Sequence, residues 1–212
     1  MSSVPDGFGA PAVHPLLALA DALGAALDDV SSANAWTMTP AELQSVLPRL
    51  TRARNRLAEV ELRVLREADR HSVGGDTGAT NTPAWWAHVT GQQVPAARSA
   101  VALAEDLDTD HETVRTAMAA GRVNVEQARV IVRSVGELPA DLGGALLADA
   151  EAHLVSLADL DGETRLDSKA LRIAGRKILE VVAPDIAEAH EARVLEAEER
   201  AAAASATFTM RP

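Results

Sequence analysis

Six histidines are the residues in this chain best suited to acid–base work or metal binding: His14, His71, His88, His111, His153 and His190. A hydrolytic metal site needs such side chains to converge, which on one helix means a spacing of three or four residues. No two of these histidines have that spacing, and no H-E-x-x-H run is present. His190-Glu191 is an isolated pair, so the histidines read as ordinary surface or partly buried side chains. Nucleophiles are no better placed. There is no cysteine, no G-x-S-x-G elbow, no P-loop and no G-x-G-x-x-G turn. Gly7, Gly9, Gly74 and Gly75 read as loop glycines. Glu188, Glu191, Glu198 and Glu199, interleaved with Arg193 and Arg200, read as a solvated helix face. The expectation is a chain that is not an enzyme, with no catalytic residue, metal, cofactor or small-molecule substrate of its own.

Contact chemistry is more promising than covalent chemistry. Thr82 to Leu107 reads as helix, short turn, helix, with Ala87 four residues before the turn glycine Gly91 and Ala97 on the second helix. Small residues at those places let two helices cross closely, which is the steric requirement of a helix-turn-helix. The second helix would then present Gln92, Gln93 and Arg98 near its N-terminal end to DNA. The competing reading is a plain helical hairpin. Asn124 to Arg133 is a second candidate, contributing Arg122, Arg129 and Arg133. Trp85 and Trp86 are adjacent, so on a helix they point about 100° apart. One can anchor the core while the other sits at its edge or in a protein contact. The arginines of the stretch 40–71 could follow phosphates, but Glu59, Glu61, Glu67 and Asp69 are interleaved with them and favour a solvated face or a helix seam.

The elements that must position these residues are helices. Hydrophobic residues make up 47% of the 212 residues, yet only 2% are aromatic and there is no Tyr. Alanine and leucine favour helices, whereas sheets favour aromatic and β-branched side chains. The fold class expected is all-α: an elongated multi-helix bundle of about eight helices. Residues 1–12 read as disordered. Pro15 opens a first helix to about Val30. Thr39-Pro40-Ala41-Glu42 carries a capping box and opens one long helix to about His71, with Leu43, Val46, Leu47, Leu50, Leu57, Val60, Leu62, Val64 and Leu65 on an apolar period and most arginines outward. Asn124 with Gln127 resembles a second capping box. Helices are also expected from Pro139 to about Ala158, from Asp167 or Ser168 to Val182, and from Pro184 onward. Ala206 to Arg211 reads as a short strand-like end. The domains expected are 1–12, 13–73 and 80–212.

The net charge of −11 repels nucleic acid at long range, so DNA contact would need a local basic face. Residues 1–36 hold four acids and no base. The apolar stretch Leu16–Leu27 is too short to span a bilayer and lacks the basic flank of a signal peptide. No membrane role is expected, and a cytoplasmic location is.

Several of these segments together resemble a known family. They are Thr82-Pro-Ala-Trp-Trp-Ala-His-Val-Thr-Gly91, Ala97-Arg98, Leu103-Ala104-x-x-Leu107, Ala117-x-x-Ala-Gly-Arg-Val123, Gln127-Ala-Arg-Val-Ile131, Leu138-Pro139 and Val182-Ala-Pro-Asp185. In order and spacing they are similar to the actinobacterial domain of unknown function 222, the 13E12 repeat family, over roughly residues 40–212. In that family the helical region commonly precedes an HNH endonuclease domain. The resemblance implies a protein of DNA-processing character, not that this chain cuts DNA: the nuclease ligands would lie beyond Pro212. The family pattern continues past Met210, so the sequence looks truncated. Two functions follow as expectations: a non-catalytic accessory module that assists DNA binding, or a helical module for homo-oligomerisation or for binding a protein partner.

Overall fold

In the computed structural model the residues described are 13–139, 142–182 and 184. Among them are nine α-helices and no strand. These are α1 (Pro15–Asp29), α2 (Pro40–Arg70), α3 (Thr82–Thr90), α4 (Val94–Thr109), α5 (Glu112–Ala119), α6 (Val125–Gly136), α7 (Gly144–Ala158), α8 (Ser168–Arg176) and α9 (Ile178–Val182). Short 3-10 turns occupy Ala35–Thr37 and Gly75–Thr77. None of these helices is long and apolar enough to cross a membrane. The fold class is all-α, as the composition implies. The N-terminal twelve residues, the helix after Pro184 and the strand-like end at 206–211 lie outside the described residues.

The chain divides into two compact units, Met1–Val46 and Leu47–Pro212. The division falls inside α2, beside Pro48. Proline within a helix forfeits a backbone hydrogen bond and crowds the preceding turn, so that turn is the weakest of α2. In the first unit, α1 forms on local signals alone. His14 accepts from the Leu16 amide at 3.2 Å and Pro15 occupies the first turn, yet none of its 15 residues is buried. The start of α2 carries the expected capping box. Glu42 Oε2 accepts from the Thr39 amide at 2.7 Å, and the Thr39 hydroxyl accepts from the Glu42 amide at 3.3 Å.

The second unit holds the core. Helix α6 is its centre and packs on α4, α5, α7 and α8, while α3 packs on α4 and α7 also touches α9. Met118, Ile131, Leu154, Leu171 and Ile178 are the largest fully buried side chains. Ala97, Ala117, Ala128, Ala150 and Ala158 are fully buried too, so helices meet through small residues as the alanine-rich composition implies. Helices α6 and α8 approach closely at Gly175, where a Cβ would stand 2.7 Å from the Ser134 Cβ.

Three expectations are corrected here. The helix expected from Pro139 begins at Gly144, because Gly143 and Gly144 are poor helix formers and the Leu142 amide turns back to the Pro139 carbonyl at 3.1 Å. The single helix expected over 168–182 is two, broken at Lys177 just after Gly175. The apolar stripe of α2 is not all core: Leu62 and Leu65 are buried beside Asn55 and Glu59, whereas Leu43, Leu47, Leu50, Leu57 and Val64 are exposed.

Candidate interaction surfaces

In the segment α3–turn–α4 the two helices pack on each other. Ala87 and Ala97 are both buried where the two helices meet. Gly91 ends α3 at φ +69°, and the Gln92 amide donates to the Ala87 carbonyl at 3.0 Å, which satisfies the last turn. Asn81, one residue before the expected start, caps α3 by accepting from the Ala84 amide at 2.9 Å. Gln92, Gln93 and Arg98 are exposed around the N-terminal end of α4, and no side chain caps that end. Gln92 and Gln93 precede the first turn of α4 and Arg98 lies in its second, while Pro95 offers no amide and the Ala97 amide already donates to the Gln93 carbonyl at 3.1 Å.

The other three arginines are placed differently. Arg122 lies in the loop between α5 and α6 and donates to Asp159 at 2.6 Å, and its own carbonyl accepts from the Leu160 amide at 3.0 Å. It ties one loop to another. Arg129 pairs with Glu126 at 2.9 Å and Arg133 with Glu137 at 2.7 Å, so each is neutralised on its own helix. The hydrogen bond from Arg133 to Glu137, and the charge of that carboxylate, push the guanidinium above its ordinary value. Both arginines line an open groove of about 610 Å³ with Arg172 and Arg176, opposed by Asp106 and Glu126. Four arginines of α2 are paired as well, three of them with carboxylates outside the helix. Arg66 pairs with Glu105 at 3.2 Å, Arg70 with Asp108, Arg63 with Glu59 and Arg52 with Asp161. Among the described residues, Arg49, Arg54 and Arg56 have no carboxylate within ion-pair distance.

Trp86 packs against the core and Trp85 is half-buried against the Gly74 backbone. Both are half-buried, each against a different neighbour. The third tryptophan, Trp36, is 83% exposed and was not singled out by the sequence reading.

The long-range partners of the buried polar residues are what sequence reasoning missed. His111 Nδ1 lies 2.8 Å from Glu151 Oε2, and Glu151 Oε1 accepts from the Val114 amide at 3.0 Å. The carboxylate therefore serves α5 as an N-terminal cap supplied from α7, and the histidine beside it is part of that cap. Gln127 completes the second capping box with Asn124, and its Nε2 also donates to the Ala158 and Leu166 carbonyls at 3.1 and 2.7 Å. Asn55 donates to the Gly121 carbonyl at 3.1 Å. These side chains hold backbone in place. Among the described residues no three histidine or carboxylate side chains gather as metal ligands would.

No curated protein and no solved structure matches the chain. The family described as Domain of unknown function (DUF222) matches residues 44–208, which include α3 to α9 and most of α2, and the chain belongs to that family.

Proposed function

We propose that this chain is a non-catalytic helical assembly module of a DNA-processing, HNH-associated protein, and that it works through a protein contact on the outer face of α2. The observation that carries the reading is the exposure of Leu47, Leu50, Leu57 and Val64 along that helix. Large apolar side chains exposed in a row, rather than singly, mark contact surfaces. Buried His111 and Glu151 are spent on a cap and buried Glu59 on Arg63, which also favours assembly over chemistry. The Cys-free chain allows a direct test. Leu50→Cys, treated in the expressing cells with a permeant maleimide, is expected to label on the order of tenfold more slowly than Glu163→Cys on the exposed α7–α8 loop, because a contact core excludes water. Equal rates would remove the reading.

A second reading rests on the exposed cluster Gln92, Gln93 and Arg98 at the start of α4: a DNA contact that helps place the neighbouring nuclease. If it holds, Arg98→Glu weakens binding to duplex DNA by about tenfold and flattens the salt dependence by about one unit of slope. Affinity and slope unchanged by that substitution would dismiss this surface.

A further inference from the structure

Leu50, Leu57 and Val64 recur every seven residues on α2, and they are 60%, 42% and 44% exposed. Positions 54 and 61, which complete the alternating three- and four-residue spacing, are Arg54 and Glu61. Apolar residues at one of the two seam positions of each heptad, with Arg54 and Glu61 at the other, fit a two-helix contact whose charged positions choose the partner and its direction. The stripe is a separate face from the one α2 turns to the core: Leu57 and buried Glu59 are two residues apart, which places them about 160° apart around the helix. The stripe starts beyond Pro48, so no interrupted turn lies within it.

The charge pattern names the occupant. Beside the stripe the first half carries Arg49 and Arg54 and the second half Glu61 and Glu67, whereas Arg52, Glu59 and Arg66 turn to the opposite side of the helix. The first half of the stripe is therefore basic and the second half net acidic, so the face complements itself when reversed. We infer that the outer face of α2 docks a second copy of this chain in antiparallel orientation about a two-fold axis at Leu57. Leu57 then meets its own counterpart, and Leu50 of each copy lies level with Val64 of the other. Arg54 comes within about one residue's rise of Glu61 in the second copy. A parallel pair would instead stack Arg54 on Arg54 and Glu61 on Glu61, where like charges facing each other repel. The inference rests on the reading of α2 as a contact surface and adds the partner and its direction.

Single cysteines in the purified full chain test it, since no native thiol competes. Under mild oxidation Leu57→Cys is expected to form covalent dimers. Leu50→Cys or Val64→Cys alone should not, because the two copies of either position lie about 21 Å apart, beyond disulfide reach. An equimolar mixture of Leu50→Cys and Val64→Cys should cross-link, and Glu163→Cys serves as the collision control. In sedimentation, Leu57→Glu should weaken the dimer by about 30-fold or more while leaving the far-ultraviolet circular dichroism unchanged. Self-cross-linking at positions 50 and 64 would overturn the antiparallel arrangement yet leave the contact surface standing. A monomeric mass at all concentrations, with no cross-linking above the control, would overturn the second copy as partner. Slow labelling of Leu50→Cys in cells would then still support a contact with a different protein.

Discussion

The ends of α3 and α5 are built from one local pattern: alanine, three residues, glycine. At α3 the Gln92 amide returns to the Ala87 carbonyl at 3.0 Å, and at α5 the Arg122 amide returns to the Ala117 carbonyl at 2.9 Å. Both glycines hold left-handed backbone, Gly91 at φ +69° and Gly121 at φ +77°. What surrounds them differs. A Cβ at Gly91 would meet nothing within 4 Å, whereas one at Gly121 would stand 2.7 Å from the Arg52 carbonyl oxygen of α2. Beyond Gly121, Arg122 pairs with Asp159 and the Gly121 carbonyl accepts from Asn55. Beyond Gly91, Gln92 and Gln93 reach solvent. One helix end is a joint of the fold and the other is a free surface, although the helix-terminating pattern is shared.

The largest effect expected from this contrast is at the joint. Gly121→Ala must both strain the backbone and push α2 away, so a loss of about 2–4 kcal/mol in denaturant unfolding is expected. Gly91→Ala suffers the backbone strain alone and should lose about 1 kcal/mol. Equal losses at the two glycines would mean that the approach of α2 to Gly121 contributes nothing, and the distinction between joint and surface would collapse.

That distinction also marks how far the sequence is legible. Signals that act within one turn are read correctly. Thr39 with Glu42 and Asn124 with Gln127 both form the boxes their spacing predicts. Partners far apart in the chain are not legible. Nothing local in His111, Arg122 or Arg52 indicates that each finds a carboxylate 37 to 109 residues away, in Glu151, Asp159 and Asp161. Arg129 and Arg133 lie between these cases. Their acids sit three and four residues off, so the neutralising pairs were visible in the spacing, and considering the arginines singly concealed them. The α2 stripe shows the limit of periodicity. Leu50, Leu57 and Val64 keep as good a helical period as Leu62 and Leu65, but period says that a face is apolar and not what covers it.

The smallest effect expected is electrostatic and belongs to the joint alone. The Arg52 guanidinium donates to Asp161, and this hydrogen bond, aided by the charges of Arg52, Arg122 and Arg165 and opposed by slight burial, holds the Asp161 carboxyl below its ordinary value. The same pair raises Arg52. A carboxyl whose pKa is depressed in the folded chain binds its proton more readily when unfolded. Its contribution is thus fully present above the unfolded value and is lost as pH falls through the folded one. Both groups are solvent-accessible and screened by salt, so Asp161→Asn should lower the Tm by only about two degrees near neutral pH. The gap between wild type and Asp161→Asn should then close on the acid side of the ordinary carboxylate range. No such closing gap is expected for Gln92→Ala, since the free end at α3 places an uncharged amide there. If the Asp161 gap stayed constant from about pH 7 to about pH 3, the loss would come from packing of the Asp161 side chain rather than from its charge.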